Sequence, residues 1–168
     1  MYMNIGILLG SFDPIHVGHL YMAIASLNLN LVDKVLFVPS VQNPIKPKSL
    51  DFGQRCTMVQ LAPDDLNNCY LSTIDYKNTA PYFTSNTLMM LKDKYPQDDL
   101  YIIIGLDIYD QIEGWHRGKW ILDNFKFIVV DRDGYTSTRK PDILHSLNVS
   151  STKIRTLIKV STITLLEY

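Results

Sequence analysis

The sequence predicts a doubly wound α/β fold, in which helices cover both faces of a parallel sheet. Two observations predict this fold: short β-rich runs recur along the chain, and segments with helical periodicity separate them. Several of the runs are apolar without interruption, which is typical of strands covered on both faces. The predicted strands are Asn4–Leu9, Lys34–Val38, Tyr70–Ile74, Leu100–Ile104 and Lys126–Val130.

Three helices are predicted in the intervals between these strands. The first carries one apolar stripe with spacings of three and four residues, formed by Val17, Leu20, Ile24, Leu27 and Leu31. A second helix is expected near Asp51–Ala62 with Asp51 as its N-cap, and a third near Ser85–Tyr95. Two stretches with turn-forming residues, 39–50 and 131–141, are expected to be irregular. The alternation of strands and helices indicates a Rossmann-like sheet.

The composition is that of a single globular domain, 1–168. Of the 168 residues, 46% are hydrophobic and 20% are charged, and a chain of this length can bury most of its apolar surface. The formal net charge of -1 gives no broad cationic field for binding nucleic acid or an anionic membrane. We therefore expect neither of these partners, and any phosphate-binding site must be local.

The cysteines and the N-terminal residues exclude further classes. Cys56 and Cys69 offer neither a disulfide framework nor a zinc-ligand spacing, and both are expected to be buried as small apolar residues. The apolar run Ile5–Leu9 has no basic flank and is far shorter than the roughly 20 residues that span a bilayer. We therefore expect a cytoplasmic protein.

The junction between the first strand and the first helix is the segment most specific for chemistry. It reads G-S-F-D-P-I-H-V-G-H over residues 10–19, where ligands of open α/β sheets bind. Gly10 permits close approach of the backbone to a ligand. His16 and His19 project from nearly the same face of the helix start, where free N–H groups and the helix dipole favour an anion. This pattern predicts a phosphate site. For the two histidines alone, capping, surface exposure or a metal pair are alternatives, although no third metal ligand is found.

A second candidate anion site lies near the end of the sequence, in V-S-S-T-K-I-R over residues 149–155. Ser151 and Thr152 can cap a helix and donate hydroxyls to phosphate oxygens, although a plain N-cap is the alternative. Arg155 follows one turn later with a planar guanidinium suited to phosphate. Lys46, on the proline-stiffened loop N-P-I-K, is either a ligand from a loop that folds over the site or a solvated lysine. Arg55 is expected at the surface of its helix rather than as a ligand.

Two further candidates follow the fourth predicted strand. Gly105 and Asp107 indicate a turn that faces a ribose, with an ordinary Asx turn as the alternative. Trp115 lies between a glycine and a histidine near the strand end, where its ring could stack on a heterocycle or belong to the core. Trp120 is assigned to packing.

The segment over residues 10–19 resembles the nucleotide-binding signature of the nucleotidyltransferase superfamily, related to class I aminoacyl-tRNA synthetases. Later segments are similar, in the same order, to those of bacterial nicotinate-nucleotide adenylyltransferases: N-P-I-K at 43–46, Y-F-T-S-N-T-L at 82–88, G-L-D at 105–107, G-W-H at 114–116 and V-S-S-T-K-I-R at 149–155. Three features depart from that family. Leu9 stands where the first of two glycines is usual, Asn86 replaces an Asp, and little sequence follows Arg155, where family members continue with further helical sequence.

The resemblance implies an enzyme that transfers the adenylyl group of ATP to nicotinate mononucleotide and releases pyrophosphate, in NAD biosynthesis. Mg²⁺ is expected to bridge the ATP phosphates, held mostly by substrate oxygens and water. The residues assigned to catalysis are His16, His19, Lys46 and Arg155. Those assigned to ATP are Gly10, Ser11, Phe12, His16, His19, Gly105, Asp107, Ser151, Thr152 and Arg155. Those assigned to the mononucleotide are Asp13, Lys46, Thr84, Thr87 and Trp115.

Other functions remain open at this point. The acceptor could be nicotinamide mononucleotide or phosphopantetheine instead. Phosphopantetheine adenylyltransferases carry a similar G-S-F-D-P string, but typically with Thr in place of His16 and without the tryptophan segment, so His16 and Trp115 favour a pyridine nucleotide. An alternative of another class is a nucleotide-binding regulator without activity, which the retention of the phosphate-facing candidates disfavours. The choice between the acid and the amide of the mononucleotide is undetermined by the sequence, and so is the oligomeric state.

Overall fold

A parallel five-stranded sheet forms the centre of the protein, with strand order β3-β2-β1-β4-β5. The structure is a computed structural model that describes residues 2–42, 50–63, 66–144 and 147–156. The strands are β1 (Asn4–Gly10), β2 (Lys34–Pro39), β3 (Cys69–Leu71), β4 (Asp99–Gly105) and β5 (Lys126–Val130). All four strand pairings are parallel. The predicted Rossmann-like α/β class is therefore confirmed. Lys46, which the sequence predicts as a site residue, lies outside the described residues.

Helices connect these strands. They are α1 (Val17–Asn28), α2 (Phe52–Leu61), α3 (Thr84–Lys94), α4 (Leu106–Tyr109) and α5 (Gly118–Asn124), with 3-10 turns at Ile74–Lys77 and Ile112–Gly114. A further helical segment covers residues 151–156. The predicted N-cap of α2 is confirmed, because the Asp51 carboxylate accepts hydrogen bonds from the N–H groups of Gly53 at 2.8 Å and Gln54 at 3.4 Å. None of the helices in the described ranges has the length and apolar character needed to cross a bilayer.

The sheet is covered by apolar side chains on both faces. On one face, residues of the strands pack with Leu88 and Leu91 of α3 and Ile121 of α5. On the other face, they pack with Ala23 of α1 and Val59 of α2. Successive side chains of a strand point to opposite faces, so an unbroken apolar strand serves both layers. This explains why the strands could be predicted from continuous apolar runs.

Two local predictions from the sequence are wrong. The third strand ends at Leu71 rather than Ile74, because Ile74 begins a 3-10 turn that presents Asp75 to the N–H of Val41 at 2.6 Å. The apolar stripe of α1 is misplaced at both ends. Val17, the first residue of the stripe, is 59% exposed. Leu31, the last, lies beyond the helix, which ends at Asn28.

The cysteines are both free, and they differ in burial. Cys56 is buried, as expected, whereas Cys69 on the edge strand is half-buried. Burial raises the pKa of both thiols, so neither is primed as a nucleophile at neutral pH.

Candidate active site

A cavity of about 500 Å³ opens at the carboxyl ends of β1, β4 and β5. It lies between the loops that follow β1 and β4, where the strand order reverses its direction, which is where open α/β sheets bind ligands. Most residues predicted for the site line this cavity: Gly10, Ser11, Phe12, Asp13, His16, His19, Thr84, Gly105, Asp107, Trp115, Ser151, Thr152 and Arg155. The structure therefore gathers residues that are far apart in the sequence.

Thr87 is a predicted site residue that the structure does not bring to the cavity. Its side chain is buried in α3, and its hydroxyl donates a hydrogen bond to the Asp75 carboxylate. The amide of Asn78 donates to the same Thr87 oxygen at 3.2 Å. Thr87 thus belongs to a buried polar network behind the cavity rather than to its lining.

Phe12 shapes the loop between β1 and α1. The residue has a left-handed backbone, with φ of 48°, and its ring is 1% exposed. A Cβ atom at Gly10 would lie 3.1 Å from this ring. The glycine therefore makes room for the ring of Phe12. The sequence predicted a different reason for it, close approach of the backbone to a ligand. The ring in turn packs edge-on against His19, with ring centroids 4.9 Å apart.

His16 and His19 form a stacked pair on one wall of the cavity. Their ring centroids are 3.8 Å apart with an angle of 20° between the planes. The backbone N–H of His16 donates to Nδ1 of His19 at 3.3 Å. Because Nδ1 accepts, the neutral imidazole of His19 carries its proton on Nε2, which is the nitrogen that can donate to a ligand.

Both imidazoles are neutral at physiological pH. Burial, together with the neighbouring His16, lowers the pKa of His19 to about 3. Burial also lowers the pKa of His16, and the positive charge of Arg132 adds to this effect. The pair therefore supplies uncharged hydrogen-bond donors to the cavity.

The helical segment 151–156 forms a second wall and is attached to the first. Ser150 caps it, since its hydroxyl accepts from the N–H of Lys153 at 3.2 Å. The hydroxyl of Ser151 donates to the carbonyl oxygen of Pro14 at 2.8 Å. This bond joins the segment to the loop that precedes the two histidines.

Arg155 reinforces the same attachment. Its guanidinium donates to the carbonyl oxygen of Asp13, and its Nη1 lies 3.7 Å from the Asp13 carboxylate. Its Nη2 donates to the hydroxyl oxygen of Thr152 at 3.2 Å. Asp13 is 5% exposed, and Oδ1 of its carboxylate has no hydrogen-bond partner among the described residues. This wall carries a positive charge held against the β1–α1 loop.

The loops after β4 and β5 form a third wall. Gly105 leaves space for the side chain of Asp107, since a Cβ there would lie 2.9 Å from a carboxylate oxygen. Nε of Arg132 lies 3.7 Å from the same carboxylate, and Arg132 also lines the cavity. Sequence reasoning missed Arg132, although its place two residues after the end of β5 is the signal that could have identified it.

Trp115 enters the cavity from the end of the 3-10 turn Ile112–Gly114. The next residue, His116, fastens this turn to α3. Its ring stacks on Phe83 at a centroid distance of 3.9 Å, and its Nδ1 is hydrogen bonded to the hydroxyl of Ser85 at 2.9 Å. The tryptophan is therefore held beside the first turn of α3, where Thr84 also lines the cavity.

Arg55 is not the surface residue expected from the sequence. It is 1% exposed and donates hydrogen bonds to the backbone carbonyls of Ser11, in the β1–α1 loop, and of Ser40, directly after β2. Within the described ranges, no group of three or more histidine, cysteine or acidic side chains is arranged to hold a metal ion.

Known proteins are similar to this chain in sequence. Residues 7–157 match the protein family described as cytidylyltransferase-like. A probable nicotinate-nucleotide adenylyltransferase of Borrelia turicatae (strain 91E135) is 32% identical over 132 residues, which are 77% of this chain and 69% of that protein. Another protein of that name, from Hydrogenobaculum sp. (strain Y04AAS1), is 35% identical over 164 residues, which are 94% of this chain and 86% of that protein.

A solved structure shares the fold. The nicotinic acid mononucleotide adenylyltransferase of Plasmodium falciparum, complexed with NaAD, has a TM-score of 0.79 to this chain. The similarity covers 92% of this chain and 83% of that chain, at 21% sequence identity. At this identity, the likeness concerns the fold.

Proposed function

The chain belongs to the cytidylyltransferase-like family of nucleotidyltransferases, and from this premise we propose that it transfers the adenylyl group of ATP to nicotinate mononucleotide. The products are nicotinate adenine dinucleotide and pyrophosphate, and the reaction belongs to NAD biosynthesis. The names of the relatives support the choice of acceptor. The observation that carries the proposal is the cavity itself, which places the histidine pair, Arg155 and Trp115 around one volume large enough for a ligand.

The reaction needs alignment rather than acid–base chemistry. A 5′-phosphate oxygen of the mononucleotide attacks the α-phosphorus of ATP, and pyrophosphate leaves. The attacking oxygen is already anionic at neutral pH, so no general base is required. Catalysis then consists of holding the two phosphates in line and stabilising the charge on the phosphoryl oxygens. A cavity with neutral imidazole donors on one wall and a guanidinium on another suits this task.

The contacts divide the work among the proposed residues. His19, with Nε2–H free to donate, is assigned to the α-phosphate, and His16 to the triphosphate beside it. Arg155 and Lys46 are assigned to the outer phosphates. The hydroxyl oxygen of Thr152 accepts from Arg155, so its own O–H can still donate to phosphate.

The hydroxyl of Ser151 donates to the carbonyl oxygen of Pro14, so it is not free to donate to phosphate. We propose that the backbone N–H of Ser151, at the start of the helical segment, faces the anion instead. Trp115 is proposed to stack on the pyridine ring, with Thr84 beside it.

Mg²⁺ is proposed as the cofactor, and it would neutralise part of the charge of the ATP phosphates. Such a cation would be held mainly by substrate oxygens and water. Asp13 is the carboxylate best placed to contact such a cation or its water, since its buried Oδ1 has no partner in the described part of the chain. A cytoplasmic location stays a prediction.

The test is pyrophosphate release from ATP and Mg²⁺ with different acceptors. We expect kcat/KM with nicotinate mononucleotide to exceed that with nicotinamide mononucleotide, and no turnover with phosphopantetheine. Preference for the amide would correct the acceptor, whereas turnover with phosphopantetheine alone would overturn the proposal. No pyrophosphate release with any acceptor, together with binding of ATP, would favour a regulator.

A further inference from the structure

Arg55 is a buried charged residue beside the cavity that has no place in the proposed chemistry. It lies in α2 and is 1% exposed, so its guanidinium is removed from solvent. In the described part of the chain, no carboxylate lies within ion-pair distance of it. A buried charge of this kind persists only when hydrogen bonds satisfy it.

Among the described residues, the hydrogen bonds of Arg55 all go to backbone carbonyl oxygens. Nε donates to one carbonyl, Nη1 to two and Nη2 to one. The acceptors are Leu50 at 2.9 Å, Ser11 at 2.7 Å, Ser40 at 2.7 Å and Val41 at 2.9 Å. A planar guanidinium can serve acceptors in several directions at once, which a lysine ammonium on a flexible stem cannot reproduce.

These carbonyls belong to three segments, of which the β1–α1 loop lines the cavity. Ser11 lies in the β1–α1 loop, directly before the buried Phe12. The pair 40–41 continues from β2, and Leu50 stands just before α2. One side chain therefore holds together the β1–α1 loop, the residues that follow β2 (40–41, here called the exit of β2) and the residue that precedes α2.

The exit of β2 is held from a second side as well. The N–H of Ser40 donates to the carbonyl of Gly10 at 2.9 Å, and the N–H of Val41 donates to the carboxylate of Asp75 at 2.6 Å. Asp75 is itself buried and also accepts from the amide of Asn78 at 3.0 Å. Backbone groups on both sides of this segment are thus satisfied by buried side chains that do not line the cavity.

We propose that Arg55 is a positioning residue for nucleotidyl transfer, acting through the backbone of Ser11 and the β2 exit without touching substrate. The inference rests on the proposed function, since it takes the β1–α1 loop as the part that receives ATP. Displacement of a catalytic loop by about 1 Å can lower the rate about a hundredfold. Nη1 makes the contact between α2 and this loop at Ser11, so the loss of the guanidinium removes that contact.

The experiment compares Arg55→Lys and Arg55→Gln with Val59→Ala. Lys keeps the charge without the planar donors, and Gln avoids an unpaired buried charge. Val59 lies on the same helix and is fully buried, so its truncation loosens the packing of α2 but leaves the hydrogen bonds of the Arg55 guanidinium in place. The full-length proteins are assayed for kcat and for KM of ATP, and binding of a non-hydrolysable ATP analogue is measured by calorimetry.

We expect both Arg55 variants to raise the KM for ATP about tenfold, to weaken analogue binding similarly and to lower kcat. Val59→Ala should leave the KM unchanged, because a loss of folded molecules lowers the measured kcat alone. An unchanged KM and analogue affinity in the Arg55 variants would overturn the inference. So would failure of both variants to fold while Val59→Ala folds, because the role would then be structural.

The same design separates this inference from the proposed function. If the unmodified protein releases no pyrophosphate with any acceptor, the proposed function fails, and calorimetry with the ATP analogue still tests the positioning role. If the unmodified protein is active and the Arg55 variants bind and use ATP normally, only the positioning role fails.

Discussion

The two phosphate-facing walls of the cavity supply donors in opposite ways. The wall at the start of α1 offers His16 and His19, which burial keeps neutral and which stacking holds in place. The wall at 151–156 offers Arg155, whose side chain is 39% exposed and charged, and which is held by hydrogen bonds to the neighbouring loop. We call the wall with His16 and His19 the neutral wall, and the wall with Arg155 the charged wall. The difference predicts that the two walls respond differently to mutation, salt and pH.

The largest effect is expected at the neutral wall. His19→Ala removes a fixed donor at the α-phosphate, and we expect kcat/KM to fall about tenfold to a hundredfold with the fold intact. His19→Asn keeps an amide that can donate, so it should lose less. Steady-state kinetics on both variants, with circular dichroism to confirm folding, make the measurement. Near-normal turnover of His19→Ala would remove this residue from the mechanism.

A smaller loss is expected at the charged wall. Arg155→Met should lower kcat/KM about tenfold, because a partly exposed charge acts through solvent. Arg155→Lys, which keeps the charge, should retain more activity. The comparison is sharpened by repeating the assays at low and high KCl concentration. The deficit of Arg155→Met should shrink in high salt, while that of His19→Ala should not. An equal response of both deficits to salt would contradict the division into neutral and charged walls.

The pKa of His19 also makes the neutral wall sensitive to acid. The residue titrates at about 3 in the folded protein, below its ordinary value of 6.5. At pH 7 the imidazole is neutral in the folded protein and mostly neutral in the unfolded chain, so nearly all of its contribution to stability is present. As the pH falls below 6.5, His19 becomes protonated in the unfolded chain but stays neutral in the folded protein. The free energy of unfolding therefore decreases toward pH 3.

We expect this residue to contribute a loss of about 1 to 2 kcal/mol between pH 7 and pH 5. Urea denaturation of the unmodified protein and of His19→Asn at both pH values measures it, and the variant should lose less stability on acidification. An identical pH dependence of the two proteins would show that His19 is not kept neutral by the fold. Arg155→Met serves as the control, since it changes the other wall and leaves His19 in place.

The sequence was informative where function depends on residues that follow strands. Gly10, Gly105 and their neighbours come directly after apolar runs, and the carboxyl ends of parallel strands meet at one edge, so these residues could be predicted to share a site. The strands themselves were predictable because burial on both faces leaves an unbroken apolar run.

Other features were not predictable, because their partners leave no pattern in the sequence. Arg55 bonds to backbone carbonyls, one of them 44 positions away at Ser11, and any residue type could offer those carbonyls. Thr87 turns away from the cavity because its hydroxyl donates a hydrogen bond to the Asp75 carboxylate. Asp75 lies in a 3-10 turn directly after the strand that was predicted at Tyr70–Ile74. Tertiary contacts decide both positions.

Trp115 belongs to neither phosphate-facing wall and should therefore separate the two substrates. Trp115→Ala is expected to raise the KM for the mononucleotide several-fold, because the loss of aromatic stacking on a heterocycle is worth about 1 kcal/mol. The KM for ATP should stay nearly constant, since the histidine pair and Arg155 are untouched.

Trp120→Ala is the matched control for Trp115→Ala. Trp120 packs edge-on against Phe125 at a centroid distance of 5.7 Å, so its truncation removes the same side chain from a structural position. Loss of stability without a change in either KM is expected for this control. If Trp115→Ala instead raised the KM for ATP more than that for the mononucleotide, the aromatic ring would belong to the ATP side, and the assignment of the two substrates within the cavity would be reversed.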